Sequence, residues 1–306
     1  MKFWPLLVGC GILLLSGARS REWTATDGRK LEAEFVSTTE DSVIVKRAAD
    51  GRTFTLPLKS LSKADQTWVK EELAKNVKPV EGPYAALLTG EWALSEDDGL
   101  PFALFGAKDL GASKRYPLVV ALHERSPNAE NGKQLGAVSK SFSEPARYEK
   151  NPCIIFAPLG YQPYGGQGIA WSKEPGIKSL ATIQKLITSL PIDEDRVYVV
   201  GHAMGGMGSC QFAVKEPQRF AAVVAAAGNS GRNPVMVEIF NRVPLWLFHA
   251  ADDPIFDVEY TRNVVDGLKR SDTFKYTEYR SGGHDIAERV FKDDEVHDWI
   301  FQQRRK

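Results

Sequence analysis

Two rhythms of apolar and polar positions divide the chain. In residues 21–75 apolar and polar side chains alternate in short runs, as in Leu31-Glu32-Ala33-Glu34-Phe35 and Ser42-Val43-Ile44-Val45-Lys46. A period of two predicts half-buried strands, here over 31–36, 42–46 and 53–58, after an opening strand at Trp23. Asp27-Gly28 and Asp50-Gly51 are turn signals, and Pro57 marks a strand end or edge. Residues 60–74 follow as a helix capped near Ser62, with Leu61, Trp68, Val69 and Leu73 as its apolar positions. Trp23 and Trp68 are expected in the core, because so small a module needs its aromatics for burial. Residues 76–90, with Pro79, Gly82 and Pro83, read as a linker.

From residue 91 to residue 306 the pattern changes. Short, nearly continuous apolar runs alternate with amphipathic stretches, the α/β rhythm. Strands are predicted at 101–105, 118–123, 153–158, 197–201, 221–227, 244–249 and 274–279, with helices at 177–190 and 204–214. Leu118-Val119-Val120-Ala121-Leu122 is apolar at every position, as a strand buried on both faces requires.

Residues 1–20 look like a leader. Lys2 precedes an apolar run over 3–15, and the small residues Ala18 and Ser20 follow. Cleavage near Ser20 is expected to leave a mature chain starting near Arg21, secreted or periplasmic, with no stable membrane anchor. Cys10 lies inside the apolar run, which argues against a lipoprotein box. Cys153 and Cys210 then remain, either paired or as two buried thiols. Basic and acidic residues number 39 each; removing Lys2 and Arg19 leaves 37 basic against 39 acidic. Without a basic field, non-specific nucleic-acid binding is excluded. Three cysteines exclude a disulfide scaffold and a cysteine-rich zinc module. No H-E-x-x-H, P-loop or G-x-G-x-x-G stands at a strand–helix junction, so no cofactor is expected. Asp252, Asp253, Asp257 and Glu259 read as a solvated loop, with no metal assigned.

The informative stretch is Val197-Tyr198-Val199-Val200-Gly201-His202-Ala203-Met204-Gly205-Gly206. A buried strand runs into a glycine-flanked turn and then a helix, the setting of the nucleophile elbow G-x-S-x-G. Gly201 and Gly205 occupy the fixed positions, and Ala203 stands where the serine belongs. An alanine methyl has no lone pair with which to attack a carbonyl.

With Tyr116-Pro117-Leu118 to His123, Ile192-Asp193, and Pro217-Gln218-Arg219-Phe220-Ala221 in this order, residues 91–306 resemble the α/β-hydrolase fold. The likeness is to secreted esterases and peptidases of the dienelactone-hydrolase, feruloyl-esterase and prolyl-oligopeptidase type. The resemblance implies a mostly parallel sheet with helices on both faces, and hydrolysis of an ester or amide through an acyl-serine. It puts the acid in Leu247-Phe248-His249-Ala250-Ala251-Asp252-Asp253, at Asp253 with Asp252 as the alternative. It puts the base at His284 in Ser281-Gly282-Gly283-His284. The oxyanion donors would be the backbone N–H groups of Met204 and Glu124. Glu124 departs from the glycine usual in the family, and the sequence leaves its side-chain direction open. Trp171 and Tyr161 are expected on the pocket rim. His123 and His249 are read as structural, His202 as packed, and His297 as exposed. Ser209 and Cys210, more than a turn beyond the elbow, face away from it; Ser126 lies in the oxyanion loop.

Residues 21–75, through W-x-x-x-D-G-R-x-x-x-A-x-F and the later D-G-R and P-L-x-x-L-S-x-x-D-Q-x-W-V, resemble the first homology domain of a yeast endocytic adaptor, an SH3-like barrel. That implies a recognition module with a peptide partner. Three functions remain open at this level. The chain is an inactive homologue that binds a small ester, peptide or glycan; or an active hydrolase with its serine replaced for study; or a scaffold acting through residues 21–75.

Overall fold

Strands form where the apolar runs fall. The structure, a computed structural model, describes residues 20–39, 41–75, 79–125, 130–160, 170–228, 234–268 and 273–305. The expected leader, apart from Ser20, lies outside the described residues, as do Ser126 and Tyr161. The chain separates into two compact units, Met1–Val77 and Lys78–Lys306.

In the first unit, β1 (Arg21–Thr24), β2 (Lys30–Thr38), β3 (Ser42–Arg47) and β4 (Thr53–Pro57) make one antiparallel sheet in that order. The alternation does its expected work, burying Trp23, Ala33, Phe35, Val43 and Val45. After β4 a 3-10 turn over Leu58–Ser60 leads to Leu61, which makes a single antiparallel bridge to Ala25. Helix α1 (Lys63–Lys75) begins where the Ser62 hydroxyl accepts the Asp65 N–H at 3.1 Å, as its sequence predicts. The buried Asp65 carboxylate also accepts from Arg21 Nη2 at 2.7 Å and Thr24 N–H at 2.8 Å, tying the helix start to β1. Trp23 meets Trp68 edge-on with ring centres 5.4 Å apart.

The second unit holds an eight-stranded sheet. Its strands are β5 (Ala93–Asp97), β6 (Leu100–Phe105), β7 (Tyr116–Leu122), β8 (Ile154–Pro158), β9 (Ile192–His202), β10 (Ala222–Ala226), β11 (Leu245–Ala250) and β12 (Phe274–Tyr279). The order across the sheet is β12-β11-β10-β9-β7-β8-β6-β5. The run from β12 to β8 is parallel, while β6 and β5 pair antiparallel. The helices are α2 (Ala137–Ser143), α3 (Pro145–Lys150), α4 (Glu174–Ser189), α5 (Met204–Lys215), α6 (Pro234–Phe240), α7 (Val258–Leu268), α8 (Ala287–Phe291) and α9 (Asp294–Gln302). Alternate residues of β7 feed two cores on opposite faces. Leu118, Val120 and Leu122 pack with Ile183 of α4 and Phe212 of α5. Val119 and Ala121 pack with Phe142 of α2 and Ile300 of α9. This double burial is why the central strands are apolar at every position.

Several expectations change. β9 starts five residues earlier than its apolar run, through the charged Asp193-Glu194-Asp195-Arg196. β5 escapes the sequence pattern because its Ala-Leu-Ser-Glu-Asp lies on the sheet edge with no residue fully buried. The later part of the expected linker is packed: Tyr84 and Leu88 are buried, and the Tyr84 hydroxyl donates to Asp97 at 3.0 Å. His297, expected at the surface, is buried, with its Nε2–H donating to the Phe291 carbonyl at 2.8 Å. Cys153 and Cys210 are both buried free thiols. Among the described residues no helix is long and apolar enough to cross a membrane.

Candidate active site

Strand β9 delivers its last residue, His202, to a sharp corner, and α5 begins two residues later. Ala203 forms that corner with φ 51° and ψ −118°, a backbone state that side-chain-bearing residues rarely occupy. The turn is locked from both sides. Ala203 N–H donates to Ala226 O at 2.9 Å, and Met207 N–H donates to Ala203 O at 3.0 Å. The flanking glycines are required by space: a Cβ on Gly201 would lie 2.3 Å from the Gly205 carbonyl carbon, and one on Gly205 2.0 Å from the Leu122 carbonyl oxygen. The corner thus has the geometry of a nucleophile elbow and carries a methyl group at its tip.

The acid and base expected from sequence come together. His284 Nδ1 lies 2.8 Å from Asp253 Oδ2, so Nδ1–H donates to the carboxylate and Nε2 is left as the basic nitrogen. Asp253 has a fully buried side chain, and its other oxygen accepts from Ile255 N–H at 2.8 Å and Phe256 N–H at 3.0 Å. Burial alone would raise its pKa, but the His284 ring and these two N–H groups outweigh it and hold the carboxyl below its usual value. Asp252 serves differently, accepting from Gly283 N–H at 2.8 Å and Gly282 N–H at 3.3 Å. It fixes the two glycines that precede His284. Asp253 therefore contacts His284, and Asp252 shapes its loop.

His249 also contacts Asp253. Its Nε2–H faces Phe256 O at 3.0 Å and Asp253 Oδ2 at 3.2 Å, while Nδ1 accepts from the Thr261 hydroxyl at 2.6 Å. His123 ties the loop after β7 to the end of β8. Its Nε2 accepts from Gly160 N–H at 2.9 Å, and its Nδ1–H donates to Glu124 O. Burial pushes its pKa down to about 4, so the ring is neutral. Met204 is the first residue of α5, where helix geometry leaves its N–H without an intrahelical acceptor. Among the described residues neither Met204 N–H nor Glu124 N–H has an acceptor.

Sequence reasoning missed the part played by His202. Beyond packing, its ring joins Glu124, through Nδ1 to Oε2 at 2.9 Å, to the main chain of His284, through Nε2 to O at 2.8 Å. The Glu124 side chain thus turns toward His202, and that hydrogen bond keeps its carboxyl below the usual range. The one available signal was the replacement of a family glycine by Glu124 in a chain with histidine before the elbow. Trp171, expected at the rim, is 2% exposed; its ring packs on His123 and Phe212 in the core. Ser209 also turns inward, donating to Gly205 O at 2.8 Å. A cavity of about 520 Å³ opens beside Glu124 and His202, bordered by Arg125, Lys133, Asp285 and Glu288. Among the described residues no cluster of His, Cys, Asp or Glu is placed to hold a metal.

A strained elbow at the end of a central parallel strand, an acid after β11 and a histidine after β12 define an α/β-hydrolase fold. Comparison with known proteins agrees. The profile of the phospholipase/carboxylesterase family matches residues 172–297. A putative esterase, NocK, of Nocardia uniformis subsp. tsuyamanensis is 29% identical over 75 residues, which cover 24% of this chain and 22% of that protein. A thermostable esterase aligns with TM-score 0.62 and 27% identity over 70% of this chain and 63% of its own. A ferulic acid esterase of Anaeromyces mucronatus, at 14% identity and TM-score 0.54 over 70% of this chain and 89% of its own, shares the fold. The chain thus spans about a fifth of the curated relative and less than two thirds of the thermostable esterase. Over the matched regions the chain is thus similar to α/β-hydrolases of the esterase/carboxylesterase type.

Proposed function

We propose that Lys78–Lys306 is an esterase-type hydrolase domain that has lost acyl transfer at the nucleophile and retains the rest of its site for binding a small ester, peptide or glycan. The observation that carries this is Ala203 at φ 51° in an intact elbow, together with an assembled Asp253–His284 pair. Unrelieved backbone strain of this kind costs on the order of 1–3 kcal/mol and persists where the surroundings over-determine it. Here the strain and the dyad are retained without the atom they serve. The backbone donors polarise a bound carbonyl and the His284 Nε2 lone pair accepts from a ligand hydroxyl or water, but no covalent acyl intermediate forms on a methyl group.

A fluorophosphonate probe tests the proposal, because it phosphonylates an activated serine and leaves a stable adduct. The protein should remain unlabelled, and Ala203→Ser should take one adduct at position 203 in intact and peptide mass spectra. Labelling of the unaltered chain at another hydroxyl would overturn the proposal, since it would reveal a migrated nucleophile.

The first unit is proposed as an SH3-like recognition module for a peptide; the return of Leu61 to Ala25 after the 3-10 turn supports this. Export by residues 1–20 is proposed from Lys2, the apolar run and the small residues before Arg21.

A further inference from the structure

The residue before the elbow alanine faces two acceptors at once. His202 is 1% exposed, and its two ring nitrogens point at a carboxylate oxygen and a main-chain carbonyl. Those oxygens offer only lone pairs while Glu124 is ionised. Its bond to His202 holds it in that form. A neutral imidazole has a single N–H, so it would satisfy one oxygen and turn a lone pair toward the other. The doubly protonated ring donates to both.

We propose that His202 is a positioning residue, an imidazolium that ties the Glu124 loop to the His284 loop across the elbow and slackens that tie when it gives up its second proton. This rests on His284 being the base of the site. The tie has a clear topological task. β12, which precedes the base, lies three places from β9 in the sheet, with β11 and β10 between them. The base loop must therefore cross two strands to reach the elbow, and the His202 bond holds it by its main chain where it arrives. The same bond explains how the site tolerates Glu124. A bare carboxylate beside the oxyanion donors would oppose negative charge in a ligand; paired with an imidazolium it is compensated.

The surrounding charges are consistent with this assignment. From the loop after β12, the His284 ring lies 5.2 Å from the His202 ring and Asp285 favours the charged form. From the loop after β7 come Glu124 and Arg125, with Lys133 and Glu288 also bordering the adjoining cavity. Burial opposes the imidazolium, but Glu124 and the His284 carbonyl outweigh it and leave the His202 pKa raised. The cavity gives the released proton a route to water.

The test is NMR of the protein, with Ala203 in place, labelled with nitrogen-15 histidine. Loss of one signal set in His202→Gln assigns the ring. At pH 6 both His202 nitrogens should show protonated shifts. Glu124→Gln keeps a hydrogen-bonding side chain but removes the charge, and should lower the His202 midpoint by about one pH unit or more. The His284 ring signals should shift as His202 gives up its second proton, and that change should move with the His202 midpoint in Glu124→Gln. A structural imidazole that stays neutral throughout would transmit no such change. A neutral His202 at pH 6, or His284 ring signals that do not follow the His202 midpoint, would overturn the proposal. Both readouts are independent of turnover, so they separate failure of this tie from failure of the hydrolase reading.

Discussion

Ala203→Gly tests whether the elbow is strained, and its sign is unusual. Replacing a buried alanine by glycine removes a methyl group worth about 0.8 kcal/mol. It also frees the unfolded backbone, at a further cost of about 0.4–1 kcal/mol. At φ 51° and ψ −118° those losses meet a gain, because glycine relieves strain of about 1–3 kcal/mol. The net change should lie between about 0.8 kcal/mol destabilising and about 1.8 kcal/mol stabilising. Ala225→Gly is the control. Ala225 is equally buried on β10, paired with Gly201, in ordinary strand conformation. It has no strain to relieve, so it should cost about 1.3–1.8 kcal/mol. The two variants differ by the strain of about 1–3 kcal/mol, so at roughly 2–4 °C per kcal/mol for a domain of this size they should melt about 2–12 °C apart. Differential scanning calorimetry of the hydrolase unit's transition reads this directly. Equal destabilisation by the two substitutions would refute the claim of stored strain at position 203.

The acid assignment separates two adjacent carboxylates. In an Ala203→Ser background, Asp253→Asn should lower kcat by up to about 10⁴-fold, whereas Asp252→Asn, which only weakens the grip on Gly282 and Gly283, should lose far less; equal losses would return the assignment to the pair. The sign of the linkage also follows: because Asp253 is held below its usual pKa, its stabilisation is present above about pH 4 and lost as pH falls through the lowered value. Asp253→Asn should flatten that acid limb of an unfolding curve. Burial raises both thiols, Cys210 to about 12 and Cys153 further, so Ellman's reagent should label neither in the folded chain spanning residues 21–306 and both after denaturation.

The parts of this protein that sequence disclosed are those whose physics is local. An unbroken apolar run marks the central strand over Leu118–Leu122, which is buried on both faces, and no such run marks the edge strand Ala93–Asp97. β12 over Phe274–Tyr279 has the bounds that its pattern predicts. Gly201, Ala203 and Gly205 announced the elbow because close backbone approach leaves few choices of residue. The resemblance favoured Asp253 and kept Asp252 as the alternative, since both follow β11; the fold shows which oxygen meets His284. Trp171 and His297 were misplaced for a related reason. An aromatic or a histidine is chemically fit for either a rim or a core, and burial by residues far along the chain decides. The His202–Glu124 contact joins positions 78 residues apart, a pairing no local pattern encodes.

The central claim is that a hydrolase site stands assembled around a missing hydroxyl. Hydrolysis of p-nitrophenyl acetate by the protein and by Ala203→Ser, side by side, tests it most directly. The account predicts a gain on the order of 10³-fold or more on restoring the serine, with the unaltered protein showing only the weak acceleration that donors and binding supply. No gain, or an unaltered protein already as fast as the variant, would contradict it.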